Sequence, residues 1–509
     1  MKFAFTIFLS VYLSVGNVFA QKTEVTNLGS SINSIYSELN PIISSDGRTL
    51  YFIRSNHPQN FSQTSESQDI WYSVKDKNGD WTPAQHAGKQ LNRQQFNTLY
   101  NVSPDGNKML IGGAYSDSVN FEIGYSFIER SGNKWNSPHQ LKIKNFEYRI
   151  KGDFSSATLS SDNKVLIISF SEQDSSRVND LYVSFLSDNG AWSEPKILST
   201  PVNTDFDETT PFLSADGITL YFSSNRPGGL GSNDIYMCKR LDDTWRKWSV
   251  PVNLGAPVNT PEWDAYFTIP ASGEEAYFVS SQNSMGKADI VSVKTNGLLK
   301  PKPVVLLRGK VINVKTNKPV EADIRYEILP GGEEAGKADF NAINGDYKII
   351  LPYGFHYGIS ANAKGFLPVS INFDLTSENV YEEINKDLIL IPLEAGSVIR
   401  LNNIFFTKGK SDLKSESYPE LDRIVKIMKE YPSMVIEVGG HTDNNGTEEE
   451  NLILSNDRSW IVKNYINSKG ITIGRISSRG YGEYVPLVNN KTEENRQLNR
   501  RVEIKVVKF

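Results

Sequence analysis

The side chains able to do chemistry in this 509-residue chain are arranged against most reactions. Its five histidines are His57, His86, His139, His356 and His441, and no two lie within 25 residues, so no local HxxxH-type metal pair forms. A single cysteine, Cys238, excludes an internal disulfide and any multi-cysteine zinc or iron–sulfur centre. GxSxG elements and dinucleotide fingerprints are absent. Gly409-Lys410-Ser411 imitates the end of a phosphate loop, but Ile404 stands where its first glycine is required. The acids are more suggestive. Asp69, Glu122, Asp180, Asp234 and Asp289 each precede an apolar pair, and each is expected to tie a turn through backbone N–H groups rather than to join a metal ring. Glu38, Glu208 and Asp264 precede the first strand of their units. Facing one channel mouth, they would supply the paired carboxylates of a glycosidase or lyase, the enzymatic alternative to a binding protein. The expectation is of no catalytic residue, no metal and no cofactor.

These acids recur because the chain repeats. A Ser-x-Asp-Gly type turn returns at Asp46, Asp105, Asp162 and Asp216, at steps of 59, 57 and 54 residues, with a fifth turn at Ala271-Ser272-Gly273. Each unit holds enough strand-like runs for a four-stranded sheet, such as Thr49–Arg54 and Ile70–Val74. The first four carry Trp81, Trp135, Trp192 or Trp248 ahead of a proline, and the fifth does not. The stretch from Val25 to Asn33 echoes Val252–Asn259, so an N-terminal strand is expected to complete the last unit and close a ring. Tyr221-Phe-Ser-Ser-Asn-Arg226-Pro-Gly-Gly229, followed by Asn233-Asp-Ile-Tyr236, resembles the propeller repeat of TolB and WD-like periplasmic proteins. The resemblance implies a non-catalytic β-propeller over residues 21–300. Counting gives five blades, with six, as in TolB, the alternative.

Lys300-Pro-Lys-Pro303 punctuates the chain as a stiff linker. Residues 301–395 then alternate short strands with Gly, Asn and Pro turns, the pattern of a β-sandwich. The run of Thr316-Asn-Lys-Pro-Val320, Gly345-Asp-Tyr347 and Ala363-Lys-Gly-Phe366 resembles the carboxypeptidase regulatory-like domain, which implies a spacer or adhesion module without peptidase activity.

Residues 396–509 read as strand (403–406), helix (about 417–430), strand (435–439), long helix (about 447–469) and further strands ending at 501–509, an α+β sandwich. From Arg400 to Lys508 there are 18 basic and 15 acidic residues, within a chain whose net charge is −5. That local excess suits an anionic polymer, whereas the acidic whole argues against nucleic acid. Tyr418-Pro-Glu-Leu-Asp422, Gly440-His-Thr-Asp443, Leu454-Ser-x-x-Arg458, Gly480-Tyr-Gly-Glu483 and Asn499-Arg-Arg-Val-Glu-Ile504 resemble the OmpA C-terminal family. The resemblance implies binding of peptidoglycan through its diaminopimelate-containing stem peptide. Asp443 would take the ammonium and Arg458 the carboxylate, with Thr442, Asn451 and Arg500 as further contacts. A zwitterionic group suits one acid and one donor fork a fixed distance apart. An internal Asp443–Arg458 salt bridge is the bland alternative. Many members carry Asp where this chain has Thr407, which removes one expected contact.

At the N-terminus, Lys2 and an apolar run to Val15 precede Val18-Phe-Ala20, the pattern of a secretory signal peptide over residues 1–20. The run falls short of the roughly 20 residues needed to span a bilayer. No later run is long enough either, and no cysteine stands at the cleavage point for lipidation. The chain is therefore expected in the periplasm, associated with outer membrane and peptidoglycan, with a protein or glycan partner at the propeller. Envelope proteins that combine these three modules include a component of the type IX secretion and gliding machinery, which makes such a machine the alternative role.

Overall fold

The computed structural model describes residues 24–509 apart from 63–65, 117–119, 133, 283, 296, 298–299 and 339. The expected leader, 1–20, lies outside the described residues. From residue 25 to 294 the chain forms five consecutive antiparallel sheets. The outermost strand of the fifth is β1 (Val25–Asn27), which pairs Val25 with Val293 and Asn27 with Val291. The first strands of the five sheets are β2 (Ser37–Ile43), β3 (Leu99–Val102), β4 (Ser156–Leu159), β5 (Glu208–Leu213) and β6 (Ala265–Thr268). They pack in cyclic order, β2 on β3, β3 on β4, β4 on β5, β5 on β6 and β6 on β2.

Local chemistry builds each sheet. The serine before each turn donates its hydroxyl to the turn aspartate, at 2.7 Å for Ser44–Asp46 and 2.5 Å for Ser103–Asp105, Ser160–Asp162 and Ser214–Asp216. The second strand of the third sheet, Val165–Phe170, is buried at every residue because sheets cover both its faces. Trp192 and Trp248, each 3% exposed, fill the seams between sheets two and three and between three and four. One gap of about 40 Å³ on the ring axis is bordered by Ile42, Val102, Leu159, Leu213 and Ile269, and by Ile350 from the next module.

Two sheets sharing one core follow, among them β7 (Val304–Asn313), β8 (Asp323–Leu329), β9 (Asp346–Pro352) and β10 (Phe355–Asn362). Lys300–Pro303, expected as a linker, is docked: Pro301 is buried and the Lys302 N–H donates to Asp216 Oδ2 at 2.9 Å. The reason is the sequence just beyond it. Val304 and Leu306, fully buried, pack with Ile350 against Ala271 of the ring, and Lys348 Nζ lies 2.6 Å from Asp46.

The last module is a four-stranded sheet ordered β11 (Val398–Leu401), β14 (Arg501–Lys508), β12 (Val435–His441) and β13 (Ile476–Gly480). Helices α1 (Tyr418–Glu430) and α2 (Glu448–Ser468) pack on it, and α3 (Glu493–Asn499) precedes β14. The strand expected at 403–406 lies instead at Val398–Leu401. There the alternating Ile399 and Leu401 face the core and pair with Ile504 and Val502, while Asn402 and Asn403 turn away to bond Ser370 and Asn372. Helix α1 buries Leu421, Ile424, Val425 and Met428, an i, i+3, i+4, i+7 stripe. Helix α2 begins with a capping box, in which the Glu450 N–H donates to Thr447 Oγ1 at 3.2 Å and the Thr447 N–H to Glu450 Oε2 at 2.9 Å. Leu367 and Leu393 from the preceding module share this core. Among the described residues no helix is long and apolar enough to cross a membrane.

Candidate functional site

Strand register assembles the site. His441 pairs with Arg501 across β12 and β14, so the residues just beyond, Asp443 and Arg500, meet although 57 positions apart. Asp443 is 5% exposed and its Oδ2 accepts from Arg500 Nη1 at 2.5 Å, while Oδ1 accepts the Asn445 N–H at 3.0 Å. Arg500 also donates through Nη2 to Glu493 Oε1 at 2.6 Å. The arginine is thus held between an inner and an outer carboxylate.

Arg458 comes from α2. Its Nε and Nη2 donate to the Lys410 carbonyl at 3.1 and 3.0 Å, and its guanidinium lies 4.9 Å from the centre of the Phe406 ring. The internal partner of Asp443 is therefore Arg500, not the Arg458 of the bland alternative. Burial, then the neighbouring Arg500 charge, lower the Arg458 pKa, and Asp443 acts in the opposite sense, so all three charges share one field. The Thr442 N–H donates to the Gly482 carbonyl at 2.9 Å, and its buried Oγ1 has no hydrogen-bond partner among the described residues. Asn451, at the start of α2, donates to Glu483 Oε2 at 2.6 Å. Thr407 is engaged through its backbone with Asp412 and Lys410, and adds no carboxylate. The first turn of α2 carries Glu448, Glu449 and Glu450, so the positive end of the helix dipole already faces three acids.

Behind the site, His441 stacks on Tyr481, with ring centres 4.9 Å apart and planes 6° apart, and its Nε2 lies 3.3 Å from Glu503. Burial opposes ionisation of Glu503, but the adjacent His441 ring and the hydrogen bond and charge of Arg501 outweigh it and bring that carboxyl down to about 2. Sequence reasoning did not single out Glu493, Glu483 or Glu503 as parts of the site. Glu483 and Glu503 sit inside motifs already quoted, and Glu493 stands two helical turns before Arg500, which was the available signal.

The carboxylates of the ring do different work. Glu38 accepts the Ser34 N–H at 3.0 Å and Arg54 Nε at 2.8 Å; Glu208 accepts the Thr204 N–H at 2.9 Å and Arg226 Nη2 at 3.0 Å; Asp264 accepts the Thr260 N–H at 2.6 Å. Each is fully buried and bound to the turn four residues upstream, so the structure does not bring them together as an acid–base pair at a mouth. Asp69, Asp234 and Asp289 accept from the N–H groups of Phe61, Leu230 and Met285 at 2.5, 2.6 and 2.7 Å. The Glu122 side chain lies outside the described residues. Among those described, no cluster of three or more His, Cys, Asp or Glu side chains is suited to a metal ion.

Residues 405–500 match the model of the OmpA family. The C-terminal α/β module is thus an OmpA-like domain within a multidomain, mostly β chain. Outer membrane porin F of Pseudomonas aeruginosa is 34% identical over 179 residues, which cover 33% of this chain and 51% of that protein. The peptidoglycan-binding protein ArfA of Mycobacterium bovis is 36% identical over 103 residues, covering 20% of this chain and 32% of that one. The chain thus spans about half, or less, of the length of these relatives. Among solved structures, the periplasmic domain of Helicobacter pylori MotB is 26% identical, with 22% of this chain and 83% of that chain covered and a TM-score of 0.21.

Proposed function

We propose that this chain is a non-catalytic protein of the bacterial envelope that holds peptidoglycan non-covalently through its OmpA-like domain. The carrying observation is the convergence of Asp443, Arg500 and Arg458 inside the segment that matches the OmpA family. A diaminopimelate side chain ends in one ammonium and one carboxylate. Asp443 takes the first, the two guanidiniums take the second, and Thr442 and Asn451 line the approach. The similarity to ArfA, a peptidoglycan-binding protein, supports the same ligand class. The cyclic packing of β2 to β6, with β1 completing the fifth sheet, supports a five-bladed propeller, and the two-sheet module after it supports a regulatory-like β-sandwich. The propeller then presents a protein- or glycan-binding face in the periplasm, at the outer membrane. A glycosidase role gains nothing from Glu38, Glu208 and Asp264, which are bound to their own turns.

The test is co-sedimentation of the full chain with purified sacculi, because a cut near residue 395 would strip Leu367 and Leu393 from the core. Wild type pellets, whereas Asp443→Ala and Arg458→Ala, shown folded by circular dichroism, each lose about tenfold or more in affinity, the scale of one lost charge-assisted bond. Equal sedimentation of all three rejects the proposal.

A further inference from the structure

Arg500 is shared between two acids, and only one of them is buried. Asp443 is buried, with 7% of its side chain exposed, on the turn after β12. Glu493, with 59% of its side chain exposed, stands in the first turn of α3 and reaches Arg500 Nη2 at 2.6 Å from outside. Its second oxygen meets Arg496 at 2.7 Å, so two arginines hold it in place. A guanidinium offers a planar fork of donors matched to carboxylates. With one edge of Arg500 committed to Asp443, the other edge has room for one carboxylate, and Glu493 occupies it.

We infer that Glu493 is the site's resident carboxylate: it fills the position on Arg500 that the ligand's carboxylate takes, and it must leave when that ligand binds. The inference rests on the reading of Asp443, Arg458 and Arg500 as a stem-peptide site. It makes Glu493 a specificity-determining residue. A ligand with an ionised carboxylate replaces one charge-assisted bond by another, so exchange at Arg500 is nearly even. A ligand whose carboxylate is amidated cannot match the Glu493 charge; it leaves the Glu493–Arg500 pair intact and binds through its remaining contacts. Glu493 therefore lowers affinity for the acid ligand and does not touch affinity for the amide.

The experiment titrates the full chain calorimetrically with two soluble probes, a stem tripeptide ending in meso-diaminopimelate and the same peptide with its diaminopimelate carboxylate amidated. Glu493→Gln keeps the side-chain shape and removes the charge; Glu494→Gln makes the same charge change one residue on. The expected result is that Glu493→Gln binds the acid peptide about two- to fivefold more tightly, the range set by one exposed ion pair, and binds the amide as wild type does. Glu494→Gln should match wild type with both peptides. Unchanged or weaker binding of the acid peptide by Glu493→Gln overturns the inference. So does equal tightening toward both peptides, or the same gain in Glu494→Gln, since either would be a general charge effect. Asp443→Ala and Arg458→Ala separate the levels: if both lose the acid peptide while Glu493→Gln is silent, only the role of Glu493 falls; if both bind as wild type, the site reading falls and this inference with it.

Discussion

Gly440 has no side chain, and its neighbours show why none fits. A Cβ at that position would stand 2.2 Å from the Ser455 carbonyl oxygen of α2, and one at Gly480 would stand 2.4 Å from the Asn456 nitrogen. These two glycines let α2 lie directly on β12 and β13, which places Asn451 and Arg458 at the level of Asp443. Gly440→Ala should therefore cost about 1–3 kcal/mol, the usual scale of overpacking, and lower the thermal midpoint of the OmpA-like domain. Gly474→Ala, where nothing lies within 4 Å, is the control that should leave it unchanged. A midpoint in Gly440→Ala equal to wild type would mean that α2 is free to shift. The candidate residues Asp443, Arg458 and Arg500 could be named from the sequence, because all three sit in short motifs. Which of them touch was not. That depends on the His441–Arg501 register, a pairing that local spacing does not encode.

At the scale of the element, the repeat was legible because turn, acid and tryptophan recur at short range, while the asparagine bonds that tie a connection to the sheet it leaves were not. Asn33, Asn92, Asn203 and Asn259 each bond both the N–H and the carbonyl of one strand residue, respectively Ile290, Ile70, Leu181 and Ile235, at 2.7–3.0 Å. For Asn33 the partner is 257 residues away, beyond any local pattern. The strand misplaced to 403–406 fails for a related reason: Phe405 and Phe406 look like a strand, but only Ile399 and Leu401 meet partners on β14. One buried carboxylate makes these elements pH-sensitive. Burial outweighs the Thr260 hydrogen bonds and raises Asp264 to about 6. A raised carboxyl contributes stability that is fully present below its unfolded value, about 4, and is lost as pH rises through 6. Asp264→Asn cannot titrate, so its urea midpoint should fall less than that of wild type between pH 4.5 and 7.5, by the equivalent of about 2 kcal/mol. Tryptophan emission follows the ring of five sheets, since seven of the eight tryptophans lie from Trp71 to Trp263. Parallel pH profiles for the two proteins would show that Asp264 does not titrate in this range.

Across the whole molecule the middle module is a joint rather than a spacer. On one side Ile350, 4% exposed, reaches the ring axis beside an apolar residue from each of the five sheets, flanked by the Lys348–Asp46 pair. On the other, Arg423 of α1 bonds both Glu327 oxygens at 3.1 and 3.2 Å and Glu420 at 2.6 Å, and Ser370 donates to Glu420 at 2.5 Å. A domain that holds peptidoglycan would thereby fix the direction in which the ring of five sheets faces, because both contacts are charge-paired. Ile350→Asp tests this at its apolar centre. A carboxylate without a partner at that position costs several kcal/mol by desolvation, more than the exposed part of the Lys348–Asp46 pair returns. The ring of five sheets should then swing free while each module stays folded. Far-ultraviolet circular dichroism should be unchanged, and small-angle scattering should show a larger radius of gyration and a tail at long distances. Ile350→Val, which keeps the contact, should scatter as wild type does. Unchanged scattering from Ile350→Asp would place the joint's strength in its polar contacts, and Lys348→Ala would then be the variant that opens it.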